Sequence, residues 1–139
     1  LKCMHIDTNR KWRSAEWVRS KLLSSEDLRA LVGEKIFPLI APEGTLGDFL
    51  TVTRSAYGRE YDKTGDSHSV TTVTVFCVSD DYDRSLKLCE LVDAILDGGR
   101  NDEVGKIFGA SSIPTATLDT SEEVFLDGKY VQTLTFAIS

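Results

Sequence analysis

No apolar stretch in this 139-residue sequence approaches the roughly 18 residues that a membrane-spanning helix needs, so no such span is expected. The first thirteen residues also lack the apolar run of a signal peptide, and an intracellular origin is the expectation. Proline occurs only three times, which with an ordinary glycine content argues against collagen-like and disordered classes. The three cysteines show no CxxC spacing, which argues against a disulfide scaffold or a zinc ribbon. Positive charge is short: 16 Lys and Arg face 22 Asp and Glu, a net charge of -6. That field opposes binding to phosphates by counterion release, so tight nucleic-acid binding by a lone chain is not expected.

What the sequence does hold is a globular balance, with 41% hydrophobic residues and enough mass for one core that buries roughly two-thirds of the unfolded surface. No linker, repeat or low-complexity tract interrupts the pattern, and a single domain over residues 14–139 is expected. The start at Leu1 reads as a trimmed or tagged terminus, so residues 1–13 are taken as an N-terminal extension.

From Ser14, an apolar edge of Trp17, Val18 and Leu22 beside Arg13, Glu16, Arg19 and Lys21 predicts an amphipathic helix. Ser24 and Ser25 ahead of Glu26 and Asp27 mark a second helix start; Leu28, Leu31 and Val32 supply its buried edge and Gly33 its stop. Lys35–Ile40 reads as a strand that Pro38 confines to a sheet edge, and Pro42, Gly44 and Gly47 make the loop after it. Phe49–Tyr57 alternates as a strand, with Phe49, Thr51, Thr53, Ser55 and Tyr57 on one side. His68–Val78 is rich enough in β-branched residues for a long central strand. The polar stretch from Gly58 to Ser67 predicts a hairpin with a mobile tip. Asp81–Asp97 is the clearest helix: Tyr82, Leu86, Cys89, Val92 and Leu96 recur on one side, widened by Leu88, Leu91 and Ile95, with Gly98 and Gly99 as its stop. Thr115–Phe125 and Tyr130–Ile138 read as strands joined by Asp127-Gly128, a pair suited to a two-residue turn with positive φ. The expected sum is an α+β fold, a mostly antiparallel sheet of about four to five strands with helices packed on one face.

No catalytic or metal-ligating constellation emerges from the residues. Cys3 and His5 lie in the extension, while Cys77 and Cys89 fall singly in a strand and a helix and read as small core residues. His68 has no paired nucleophile or carboxylate in view and reads as an exposed loop histidine. Asp80, Asp81 and Asp83 lack the spaced oxygens, turn glycine and terminal Glu of a calcium loop, and helix capping accounts for them. Gly105, Lys106 and Gly109 miss the Gly-Lys-Ser/Thr of a phosphate loop, and residues 109–112 make no nucleophile elbow. The expectation is no enzyme, no cofactor and no metal. Trp17 is expected in the core, whereas Tyr57 and Tyr61 flank the polar hairpin, where they suit a protein partner. A small-ligand-binding domain stands as an alternative, without a fingerprint of its own.

One stretch is more specific: Asp27 through Pro38, reading Asp-Leu-Arg-Ala-Leu-Val-Gly-Glu-Lys-Ile-Phe-Pro, followed by Ala41, Pro42, Glu43 and Gly44. It resembles the opening of the tail-completion, or tail-terminator, proteins of long-tailed bacteriophages and prophages. In that family a short helix ending in Leu-Val-Gly leads into a strand reading basic-Ile-aromatic-Pro and a Pro-containing loop. The later order is similar too: a polar hairpin, a strand ending near Val75, Phe76 and Cys77, the Tyr82–Leu96 helix, and a last strand with Leu134, Thr135 and Phe136.

The resemblance implies a non-enzymatic virion assembly protein that closes as a ring, commonly a hexamer, on the head-proximal end of the tail. There it would stop polymerisation of the tail tube and present the surface that joins the head. The implied partners are further copies of the chain, the tail tube protein and the head-tail connector proteins, with assembly in the bacterial host cytoplasm. DNA would pass through the ring without specific binding, which the acidic balance suits. A head-closure protein of the head-tail junction is the alternative in the same setting. The surfaces expected to work are the Gly58–Ser67 tip, the Pro38–Gly47 loop and exposed sheet edges. Pro38, Pro42, Glu43, Tyr57, Arg59, Tyr61 and Lys63 are the candidate interface residues.

Overall fold

The computed structural model describes residues 10–61, 67–97 and 116–138. Along the chain come α1 (Arg10–Leu23), α2 (Glu26–Val32), β1 (Ile36–Pro38), β2 (Phe49–Tyr61), β3 (Ser67–Ser79), α3 (Tyr82–Leu96), β4 (Ala116–Leu126) and β5 (Lys129–Ile138). The five strands form one sheet in the order β1-β2-β3-β5-β4. Every neighbouring pair is antiparallel except β1 and β2, which run parallel, so the sheet is mixed within an α+β fold. Pro38 ends a three-residue edge strand, the place where a residue without a backbone donor costs least.

Local chemistry sets the element ends as the sequence implies. Ser25 caps α2 by accepting from the Leu28 amide at 3.3 Å, and Gly33, at φ 65, donates to the Arg29 carbonyl at 2.7 Å. Asp81 caps α3 by accepting from the Arg84 amide at 3.0 Å. Asp127 and Gly128, at φ 54 and 78, form the tight turn that pairs Leu126 with Lys129. Helix α1 starts at Arg10, ahead of Ser14, so the expected boundary between residues 13 and 14 falls inside a helix. Nothing between Arg10 and Arg13 breaks a helix, and Trp12 gains a partner there, its ring stacking on Tyr57 at 6.4 Å.

One core lies between the helices and one sheet face. Trp17, Val18 and Leu22 from α1, Leu28 and Val32 from α2, and Leu88, Val92 and Leu96 from α3 pack on Ile36, Leu50, Val52, Val73, Val75, Cys77, Leu134 and Phe136. The register explains the choice: Leu50 faces Cys77, Val52 faces Val75, and Val75 in turn faces Leu134, so one parity of three strands shares the helix side. The other parity places Thr53, Thr74, Thr133 and Thr135 on the outer side, where Thr74 and Thr135 hydroxyls meet at 3.2 Å.

Four expectations are corrected. Leu31 is exposed, because a seven-residue helix turns only Leu28 and Val32 into the core. The buried line of α3 runs through Ser85, Leu88, Val92 and Leu96, and Tyr82 is exposed. The small Ser85 lets the helix approach β5 closely, and its hydroxyl accepts from Gln132 Nε2 at 3.3 Å. Half of Gly58–Ser67 is ladder: β2 and β3 stay paired out to Tyr61 and Ser67, and the expected tip at residues 62–66 lies outside the described residues. Backbone pairing in such a ribbon needs no apolar side chains, which is why polarity misled. Finally, a bulge between Arg54 and Ala56 shifts the register, so Tyr57 pairs with Thr71 on the helix side, opposite to the side of Phe49, Thr51 and Thr53.

Candidate functional site

The residues expected at an interface fall into two groups. Pro38 ends β1, Pro42 and Glu43 lie in the loop that follows, and all three are exposed. Tyr57 is half-buried, stacked on Trp12 whose ring also carries Arg54 at 4.7 Å, so it serves to dock α1 on the ribbon. Arg59 and Tyr61 are ladder residues opposite Ser69 and Ser67, and Lys63 lies outside the described residues. Pro38 pairs with Val52. At about 3.3 Å per residue, Tyr61 is then about 30 Å along β2 from it, and the two groups do not form one site.

The loop after β1 is built stiffly. The Ile40 amide donates to the Pro38 carbonyl at 2.7 Å, a γ-turn centred on Leu39, whose φ of 65 is strained for a branched side chain. The Thr45 amide and hydroxyl both donate to the Pro42 carbonyl, closing a turn that needs Gly44 at φ 87. Lys35 Nζ donates to the Leu46 carbonyl at 2.7 Å, and buried Asp48 accepts from Ser79 Oγ and Arg84 Nε at 2.9 Å each, fastening the loop's end to α3. So held, the loop exposes Leu39, Ile40 and Leu46, each at least 70% accessible. The strand expected to run on to Ile40 stops at Pro38, and the turn at Leu39 sends Leu39 and Ile40 outward; no single one of the three was picked out from the sequence, since aliphatics in a loop carry no period.

The opposite edge of the sheet, β4, carries a second apolar patch of Val124, Phe125 and Leu126. Asp97 shields only its start, through a bridge to Ala116 and an acceptor for the Leu118 amide at 3.0 Å. Beyond Leu118 no described strand pairs with this outer edge. Asp119, Glu122 and Glu123 are exposed along it, the charged residues that keep a free edge from pairing indiscriminately. The two patches stand four strand spacings apart, about 19 Å across the sheet.

A hollow of about 250 Å³ opens at the β4 edge between Tyr82, Glu123, Val124, Phe125, Tyr130 and Gln132. Glu123 Oε1 accepts from the Tyr82 hydroxyl at 2.9 Å and from Gln132 Nε2 at 3.0 Å. The Gln132 and Tyr82 hydrogen bonds hold the Glu123 carboxyl below its ordinary range, and Glu123 in turn raises the Tyr82 phenol. The pattern was hidden in the sequence because its parts come from three elements.

Elsewhere the chemistry is quiet. Cys77 is a buried core residue whose thiol is pushed well up by burial, and Cys89 packs against the core; both are free thiols. Asp80 is not a cap but pairs with Lys129 Nζ at 2.7 Å, which lowers its carboxyl. His68 lies in the ladder opposite Glu60 rather than in a loop. Among the described residues no cluster of His, Cys, Asp and Glu could hold a metal ion, and no helix is long and apolar enough to cross a membrane. Cys3, His5, Gly98, Gly99 and residues 105–112 lie outside the described residues.

No protein-family model and no curated protein matches the sequence. Among solved structures, a chain from the virion of a native gene transfer agent particle superposes with a TM-score of 0.70 at 16% identity, over 87% of this chain and 89% of that one. The chain shares its fold with a virion protein. A second solved chain has a TM-score of 0.51 at 10% identity, over 94% of this chain and 95% of that one. The likeness takes in most of both partners, so it is one of the whole arrangement of sheet and helices rather than of a fragment.

Proposed function

We propose that this chain is a non-enzymatic virion assembly protein that caps a tail tube as a ring, stops its polymerisation and offers the surface to which the head joins. The observation that carries the reading is the fold shared with a chain of a gene transfer agent virion over 87% of this chain. The Leu28–Gly44 resemblance supports the finer role, and two apolar patches on opposite sheet edges supply what a ring requires. Cyclic assembly beyond a dimer needs two different, complementary surfaces per subunit. The β4 edge is apolar and acidic, with Asp119, Glu122 and Glu123, while the β1 end of the sheet balances Arg19, Arg29 and Lys35 against Glu16, Glu34 and Glu43. Two β4 edges repel each other, whereas the β1 end of the next copy carries no such excess of acid, and repetition of a β4-to-β1 contact leads around a ring.

In this reading the partners are further copies of the chain, the tail tube protein and the head-tail connector, and the site of action is the head-proximal end of the tail. The net charge of -6 suits a conduit through which DNA passes without sticking. Native mass spectrometry across concentration tests the ring. A closed oligomer of about six subunits is expected, alone or on added tail tubes. A chain that stays monomeric in both conditions contradicts the proposal.

A further inference from the structure

The hollow at the β4 edge has the makings of a cation site. Glu123 pairs with Gln132 and Phe125 with Tyr130 across the β4–β5 ladder, so all four side chains stand on the helix side of the sheet. Tyr82, the first residue of α3, closes the group from above. Tyr130 lies 5.5 Å from Tyr82 and 4.8 Å from Phe125, centre to centre, the rings tilted at 64° and 56°. Three aromatic rings thus gather around one carboxylate. That carboxylate is aimed by Gln132, itself only 6% exposed and anchored on Ser85.

Both hydrogen bonds to Glu123 end on Oε1, and none of its partners among the described residues is a cation. Every other feature here favours positive charge: ring faces attract cations, and the carboxylate stays ionised. The carboxylate stands beside exposed Phe125, and the apolar core is complete without it.

We propose that this hollow binds the guanidinium group of an arginine side chain presented by a partner protein. A planar guanidinium is weakly hydrated, stacks on aromatic rings and offers paired N–H donors to a carboxylate, whereas a compact ammonium gives up more hydration to enter. The ring reading supplies a source, a second copy of this chain, whose helix α2 carries Arg29 at 49% side-chain exposure, paired with Glu34 at 3.5 Å. The site itself stands without that reading.

The test is an NMR titration of the full chain, aromatic and backbone signals observed, with N-acetyl-arginine methylamide and, as control, N-acetyl-leucine methylamide. Saturable shifts at Tyr82, Phe125 and Tyr130 with the arginine probe alone are expected. Glu123→Gln keeps an acceptor for Tyr82 and Gln132 but removes the charge, and is expected to weaken the probe at least about fivefold; Phe125→Leu should weaken it about twofold to fivefold. Equal response to both probes, or undiminished binding by Glu123→Gln with its spectrum otherwise folded, overturns the proposal. If the probe binds and no ring forms, the ring reading fails and the site remains; if a ring forms and the probe does not bind, the reverse holds.

Discussion

Leu39 sits at φ 65 with its side chain 70% exposed, a combination that nothing in the core repays. The turn leaves Leu39 and Ile40 facing outward at the β1 edge. Leu39→Gly is expected to leave stability unchanged or raise it by up to about 1 kcal/mol in urea titration, since relief of the left-handed strain offsets the added freedom of glycine. A second residue-scale outcome follows from Asp80 and Glu123, whose carboxyls are lowered in the fold, the first by Lys129 and the second by Gln132 and Tyr82. In acid the native state then binds fewer protons than the unfolded chain, so stability is present above the ordinary carboxylate range and falls as pH drops through it. Asp80→Asn should flatten that acid limb, lowering the urea midpoint at neutral pH and leaving it unchanged below the carboxylate range. Single residues were legible in the sequence where the backbone demands a type, as at Ser25, Gly33 and Gly128. Leu39 was not, because its conformation is imposed by the turn around it and not by its own preference.

Among the elements, the strong periods were readable and the irregularities were not. Helix α3, the central strand β3 and the Asp127-Gly128 hairpin follow directly from pattern and turn chemistry. The bulge at Ser55 left no mark, since a bulge is a mismatch between two strands and neither strand records it alone. It was enough to turn Tyr57 from an expected partner-binding residue into the seat of Trp12. The buried line of α3 was misjudged for a related reason: bulk pointed to Tyr82, whereas close packing on β5 selected the small Ser85. The β4–β5 hairpin offers the cleanest check at this scale. Gly128, at φ 78, has open space around the position of a side chain, so Gly128→Ala should cost about 1 kcal/mol from backbone conformation alone, read as a lower thermal midpoint with the same folded spectrum.

For the whole molecule, the sheet order puts unlike edges at opposite ends, acidic and apolar at β4, apolar at the loop after β1. Part of this was visible beforehand, since Pro38 marks β1 as an edge strand. The β4 edge was not, because Val124, Phe125 and Leu126 read as ordinary strand residues until the topology leaves them outermost. Val124 is about half exposed on the outer face of β4, so Val124→Lys is expected to preserve the fold, judged by circular dichroism, while reducing self-association at least tenfold. A folded variant that assembles as before would count against β4 as the joining edge.

The most direct measurement of the central claim is tube length. Tail tubes polymerised with and without the purified chain, and imaged by negative stain, should differ in one way: with the chain present, growth stops and one end of each tube carries a ring. Tubes that elongate equally in both samples, with bare ends, would contradict the account.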